Sequence, residues 1–224
     1  MYCPACTSAV LSPAPNNCPG IDFTCPACSA AYQLKSRRPP LRNRIVDAGY
    51  EAMIQAIRSE HVPNLFLLQY SPLWSVVNLL IIPSFFLTES AVERRKPLSS
   101  KARRSGWVGC NILLDSIPAD GRIFVVSNGV AVRPSTVREQ YARIRPLSAL
   151  KPEMRGWTLD VLNVVRKLGQ REISLSQVYD FEESLQVIHP NNRNIRAKIR
   201  QQMQILRDLG LLAFEDRGRY RVLS

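Results

Sequence analysis

Four cysteines stand near the start of the 224-residue chain in two pairs, Cys3-x-x-Cys6 and Cys25-x-x-Cys28. Knuckles of this kind bring four thiolates around one tetrahedral Zn2+, as in a zinc ribbon. Four thiolates fill the metal's coordination, so such an ion holds the fold and does no chemistry. Two other uses of paired cysteines fit less well. Disulfides belong to secreted chains, and no secretory signal precedes Cys3. A thioredoxin-like redox pair calls for a single pair beside a βαβ unit, and neither condition is met. Cys18 and Cys110 are spare and expected as small buried residues.

Between the knuckles lies Asp22, the only acid among the first 46 residues, and eleven residues later comes Gln33-Leu34-Lys35. An acid ending one strand and a polar-x-Lys pair on the next place three polar side chains where the strands meet. Gln33 and Lys35, two apart on a strand, share a face, while Leu34 points into the core. Phosphodiester hydrolysis needs this chemistry. A carboxylate and a second oxygen ligand hold Mg2+, which polarises the phosphate and lowers the pKa of a bound water. Lys35 then orients or deprotonates that water and offsets charge developing on the phosphate. The spacing alone is common among proteins. Two features set it apart: Asp22 stands clear of any acidic surface, and Arg37, Arg38, Arg42 and Arg44 follow as a basic loop able to receive a phosphate backbone.

The elements that must position these residues are legible as patterns. Residues 65–70 and 76–82 read as buried strands with a turn over 71–75. This stretch carries no charge between His61 and Glu89, but Pro72, Asn78 and Pro83 interrupt it, which excludes a membrane span. Residues 45–60 carry Val46, Tyr50, Met53, Ile54 and Ile57 at helical spacing and predict an amphipathic helix. Residues 122–127 predict a strand running into an Asn128-Gly129 turn, and 137–150 an irregular or helical connection. Beyond Gly156 the pattern changes. A helix over 157–168 stops at Gly169, a short apolar pair (Ile173, Leu175) leads to a helix over 176–187, and a third helix runs over 193–209. A hairpin over 211–223 follows, with Arg217 and Arg219 in its turn. Three helices and a basic-tipped hairpin describe a winged helix, with the third helix as the major-groove element and the hairpin as the wing. A protein-interaction module is the alternative, and the charge weighs against it. Lys and Arg total 30 against 18 Asp and Glu, a formal charge of +12, which implies a polyanionic partner. Hydrophobic residues at 46% exclude a largely disordered chain. The expected protein is a cytoplasmic monomer in two units, 1–153 and 154–224.

Several runs of the sequence resemble the DpnI-like, Dam-replacing restriction endonucleases. They include Tyr2-Cys-Pro-Ala-Cys6, Asp22-Phe-Thr-Cys25, Tyr32-Gln-Leu-Lys-Ser36 and Asp47-Ala-Gly-Tyr50. Further along come Arg95-Lys-Pro-Leu98, Ala102-Arg-Arg-Ser-Gly-Trp107, Gly109-Cys-Asn-Ile112, Gly121-Arg-Ile-Phe124, Arg155-Gly-Trp157, residues 198–208 and Gly218-Arg-Tyr-Arg221. The resemblance is collinear over nearly the whole chain. It implies an α/β (α+β) PD-(D/E)XK nuclease core with a zinc-ribbon element, followed by a winged helix, cutting double-stranded DNA at GATC with adenine methylation required in some members. On that resemblance Asp22 is the metal-binding Asp, Lys35 the motif Lys, the Leu34 carbonyl a backbone ligand, and Cys3, Cys6, Cys25 and Cys28 the zinc ligands. Gln33 stands where the pattern usually has Glu; its carbonyl can ligate Mg2+ but brings no charge. The resemblance also implies a helix ahead of the first knuckle. A member shortened there is expected to have reduced or no activity, and one whose start lies further upstream is not.

A methyl group on adenine offers no hydrogen bond, so it must be read by a fitted apolar surface in the major groove. Trp107, preceded by Arg103 and Arg104, has that chemistry, an indole face flanked by cations. Arg94, Arg95, Lys96 and Lys101 are expected on phosphates, where they set register without reading sequence. In the winged helix Arg196, Arg200 and Gln204 are the base-reading group. Trp157, His61 and His189 are read as structural. Two other functions remain open at this point: a DNA or methyl reader without catalysis, and a repair nuclease of the same fold.

Overall fold

The computed structural model describes residues 1–223. Two short strands, β1 (Ser12–Pro13) and β2 (Phe23–Thr24), lie beside the cysteine knuckles and precede β3 (Ala31–Arg37), which carries Gln33 and Lys35. Next come β4 (Arg44–Gly49), α1 (Tyr50–Arg58), β5 (Asn64–Tyr70) and β6 (Val76–Ile82). The first unit ends with β7 (Val92–Arg94), β8 (Gly109–Leu113), β9 (Ile123–Ser127), β10 (Val130–Ala131) and α2 (Pro134–Ile144). A seven-stranded sheet has the order β1-β2-β3-β5-β6-β9-β10, and a second, three-stranded sheet the order β4-β8-β7. Among the described residues only β3 and β5 run parallel, a pairing that needs a crossover, here β4 and α1.

The core explains why 65–70 and 76–82 read as unbroken apolar runs. Leu65, Phe66 and Leu67, and Leu80, Ile81 and Ile82, are all buried regardless of parity, as in a sheet covered on both faces. Tyr32 stacks on Phe66 with centroids 5.1 Å apart, and Phe85 meets Tyr141 of α2 edge-on at 5.9 Å. The buried Asn64 amide is held at both ends: Oδ1 accepts from the Tyr141 hydroxyl at 3.0 Å and from Ser84 N–H at 3.1 Å, and Nδ2 donates to the Ala31 carbonyl at 3.0 Å. No helix among the described residues is long and apolar enough to cross a membrane.

The single helix expected over 45–60 is corrected. Its first part is β4, where Ile45 is buried and Val46 exposed, the two-residue alternation of a strand. Two adjacent β-branched residues and a partner in β8 (Ile45 opposite Ile112, Val46 opposite Asn111) outweigh the helical spacing. Helix α1 starts only after Gly49 and buries Met53, Ile54 and Ile57. The 128–129 turn has positive φ at both residues, 50° and 80°, the backbone of a tight hairpin turn that suits Asn-Gly. The 137–150 connection is ordered: α2 starts early because Pro134 sits in its first turn, and a 3-10 helix (Arg145–Ala149) follows.

Gly121 is required by packing. A Cβ there would lie 2.2 Å from Cδ1 of Phe86, a ring only 1% exposed and unable to move aside. Gly121→Ala should therefore lower stability by about 1–3 kcal/mol through overpacking. The check is urea unfolding, with a lower midpoint and an unchanged slope.

The second unit comprises α3 (Pro152–Lys167), β11 (Glu172–Ser174), α4 (Leu175–Tyr179), α5 (Glu182–Ile188), α6 (Ile195–Asp208), β12 (Leu212–Asp216) and β13 (Arg219–Val222). Its strands form a sheet of order β11-β13-β12, and the whole is a winged helix. The expected helix over 176–187 is two helices, broken at Asp180 and Phe181. A capping box between Ser174 and Gln177 starts the first of them at Leu175. Helix α6 starts two residues later than expected, after Asn192 Oδ1 accepts the Asn194 N–H at 2.7 Å. Buried polar contacts join the units. Asp120, its side chain 3% exposed, accepts from Arg166 Nε and Nη2 at 2.7 and 2.6 Å. Ser90 Oγ donates to Asp160 Oδ1 at 2.7 Å; within the second unit Trp157 stacks on His189 at 3.5 Å.

Candidate metal centre and nucleic-acid interface

The four knuckle sulfurs lie within 4.8 Å of one another. Cys3 Sγ is 3.7 Å from Cys28 Sγ, and Cys6 Sγ is 3.6 Å from Cys25 Sγ. A tetrahedral zinc with bonds of about 2.3 Å separates its sulfurs by about 3.8 Å, whereas a disulfide brings them to about 2 Å. All four are free thiols. An all-sulfur tetrahedral donor set suits zinc, and this cluster could hold one ion. Burial works to raise the Cys25 thiol pKa, but the N–H groups of Cys28 and Ala27 prevail and hold it down to about 6. Tyr32 supports the cluster from below, its hydroxyl 3.0 Å from Cys3 Sγ. Arg138 of α2 clamps the first knuckle by donating to the Cys3 and Ser8 carbonyls at 3.1 and 2.8 Å. Cys18 corrects one expectation. It is exposed, in a turn where its N–H meets the Pro15 carbonyl, whereas Cys110 is fully buried.

Beside the knuckles the β2–β3 ladder runs out, and a side chain extends it. Asp22 N–H donates to the Tyr32 carbonyl at 2.8 Å, and Asp22 Oδ2 accepts from the Leu34 N–H at 2.7 Å. One carboxylate oxygen is thus committed to the strand and Oδ1 is left for a ligand. Gln33 faces the Gly20 turn, where a Cβ would lie 4.0 Å from its Nε2. Lys35 Nζ lies 2.7 Å from Oδ1 of Asp47, a β4 residue whose side chain is 3% exposed. The hydrogen bonds of Asp22 and Lys35 therefore go to Leu34 and Asp47 rather than to each other. Asp47 is the residue that sequence reasoning missed. Helical spacing over 45–60 gives it no reason to meet Lys35; its place in β4, paired with β8, brings it there through the tertiary packing. An oxygen set of one carboxylate, one amide and a backbone carbonyl suits a hard ion such as Mg2+.

The same pocket of structure seats Trp107. A Cβ on Gly109 would lie 2.8 Å from the indole Cη2, and one on Gly49 3.5 Å from its Nε1. Two glycines that face each other across β4 and β8 therefore clear a bed for the ring, which is half-buried. Burial pushes the neighbouring Cys110 thiol up to about 11, with the Asp47 carboxylate adding to the effect. Cys110 is accordingly an uncharged packing residue. Arg103 and Arg104 are exposed at the end of the loop leading to Trp107, which the Leu98–Trp107 and Arg95–Gly109 backbone bonds close.

Of the basic loop after β3, Arg38 is exposed and Arg37 half-buried, with its Nε unpartnered among the described residues. Arg44 is withdrawn from it by a bidentate pair with Glu93, at 2.7 and 2.8 Å. In the winged helix Arg196, Arg200 and Gln204 form one exposed stripe of α6, opposite buried Ile195, Ile199, Met203 and Leu206. Arg196 is already paired, its Nε 2.6 Å from Glu182 Oε2. Arg217 and Arg219 are exposed at the wing, where Gly218 has a φ of +72°. A cleft of about 920 Å3 between α1, α3 and the 188–194 turn has none of these residues in its walls. A site that receives duplex DNA is open surface, so the cleft does not mark the chemistry.

A mixed α/β body with a four-cysteine cluster, joined to a winged helix, has the build of a DNA-binding protein. Residues 1–150 match the family model described as the Dam-replacing family, and residues 153–222 match the Dam-replacing HTH domain. The chain belongs to the Dam-replacing family. Membership implies a restriction-type nuclease with a DNA-binding helix-turn-helix domain.

Proposed function

We propose that the chain is a Type II restriction endonuclease that cleaves double-stranded DNA at GATC when the adenine is methylated. The observation that carries this reading is the Asp22 carboxylate held 2.7 Å from the Leu34 N–H. It fastens an acid to the strand whose alternate residues Gln33 and Lys35 face one side. Asp22, the Gln33 amide oxygen and the Leu34 carbonyl are the residues that would hold Mg2+. When bound, the ion supplies polarisation of the scissile phosphate and a more acidic water. Lys35 donates to the attacking water or to a phosphate oxygen, offsetting charge as it develops, and Asp47 holds the Lys35 Nζ in position. The zinc-bound cysteines keep β2 and β3 in register and take no part in the reaction. Trp107 meets the methyl groups, Arg37, Arg38, Arg103 and Arg104 meet phosphates, and Arg196, Arg200, Gln204, Arg217 and Arg219 carry the winged helix on DNA. Units 1–153 and 154–224 divide cutting from gripping, in a cytoplasmic monomer.

The test is plasmid cleavage. With Mg2+, adenine-methylated GATC plasmid should be cut and unmethylated plasmid left intact, and excess EDTA should stop the reaction. A methyl reader without catalysis is the second reading, favoured by the uncharged Gln33. Tight, methylation-dependent binding with no nicks in the presence of Mg2+ would decide for it.

A further inference from the structure

The hairpin joining β5 to β6 carries apolar side chains that the fold does not use. Leu73 is 87% exposed and Trp74 76% exposed. Trp74 has a φ of 60°, a left-handed backbone rare for so bulky a residue. Its ring stacks on Tyr70 with centroids 5.0 Å apart and planes 5° from parallel. The turn is rigid: Ser71 Oγ accepts from the Leu73 and Ser75 N–H groups, both at 3.2 Å, and Ser71 N–H donates to the Ser75 carbonyl at 2.9 Å. Strain held in a well-bonded turn, for side chains that lie mostly in solvent, marks a surface built for a partner.

The sheet register says what that partner is. Lys35 stands opposite Leu67 and Arg37 opposite Gln69, so the turn starts one residue beyond the basic exit of β3. At about 3.3 Å per residue, Tyr70 lies roughly 10 Å along the sheet from the level of Lys35, or about three base-pair steps. No acidic side chain occurs between Glu60 and Glu89, so nothing in this segment repels a polyanion. The segment has no Lys or Arg of its own, and the cations beside it are those of β3; an apolar tip beside cations is the equipment of proteins that wedge between base pairs. We propose that Leu73 and Trp74 form a wedge that enters the duplex held at Lys35 and unstacks a base step beside the cleavage site. The proposal rests on the nuclease reading above and adds a residue pair that deforms the substrate.

The double variant Leu73→Ser/Trp74→Gly tests it, because glycine keeps the positive φ and both side chains are exposed, so the melting temperature should hold. Duplexes carrying 2-aminopurine at single positions across and beside GATC are titrated without Mg2+. The wild-type chain should raise the fluorescence at one step. The variant should lose that signal and bind about tenfold or more weakly, as expected for lost base stacking. Wild-type affinity in the variant, with flat fluorescence at every position for both proteins, overturns the wedge alone. A wild-type dimer that the variant abolishes, with duplex affinity unchanged, also overturns it and assigns the tip to a second copy. Failure of the wild-type chain to bind any duplex overturns the wedge together with the nuclease reading.

Discussion

Asp47→Asn should slow DNA cleavage by about 10²–10³-fold, close to the loss from Lys35→Ala, while leaving duplex affinity unchanged. The reason is positional. Lys35 is a flexible side chain at a strand end, and its Nζ is located by one 2.7 Å contact to a carboxylate that is 3% exposed. A donor aimed at developing charge in a transition state contributes about that much in rate, and only while it stays in place. Asparagine preserves the volume and removes the charge. A structural role alone would lower stability without touching the coupling between the two residues. The double variant therefore discriminates: Asp47→Asn/Lys35→Ala should be no slower than Lys35→Ala, because both substitutions remove the same function. Additive losses, or cleavage by Asp47→Asn at the wild-type rate, would remove Asp47 from the mechanism. Urea unfolding of each variant separates rate from stability, since breaking a buried pair costs about 3–5 kcal/mol.

Removing zinc should unfold the nuclease unit. Structural zinc sites contribute about 10–16 kcal/mol to small domains, against a typical domain stability of about 5–15 kcal/mol. Cys3 and Cys25 are buried in the same core as Tyr32, and Tyr32 stacks on Phe66 at the centre of the sheet. Loss of the ion would leave four thiols crowded at 3.6–3.7 Å pair spacing with nothing to bind. The expected result for Cys25→Ala, or for the wild-type chain in a strong chelator, is loss of the cooperative thermal transition of this unit and of the near-ultraviolet signal from Tyr32. Native mass spectrometry should find one zinc per chain before treatment and none after. An unchanged melting temperature in the zinc-free chain would rule out a structural ion.

The contrast between Asp22 and Asp47 shows how far patterns reach. Asp22 stood out because no other acid lies near it in sequence, and its partner Leu34 is reached through one local hairpin, β2 to β3. Asp47 carried no such signal. Residues 45–57 satisfy helical spacing, and only the pairing of β4 with β8 turns the first five into a strand. The winged helix was legible for a related reason. Its helices and hairpin are contiguous, and their apolar stripes face one another over a short stretch of chain; what escaped was local, the early start of α3 at Pro152, the break at Asp180 and Phe181, and the late start of α6 at Ile195.

Trp107 lies between these cases. Its chemistry beside Arg103 and Arg104 could be read from the chain, but its bed could not. Gly49 and Gly109 are sixty residues apart and meet only across β4 and β8. By itself the amino-acid order determined the thiolate cluster, the strand bearing Gln33 and Lys35, the winged helix and the cationic surface. In each case the information is a spacing within one element or between neighbours, which short-range backbone geometry converts directly into proximity. The tertiary structure alone decided which carboxylate holds Lys35, which arginines are already paired, and which apolar side chains stay uncovered. Those outcomes depend on long-range packing, where burial of a sheet on both faces overrides local propensity.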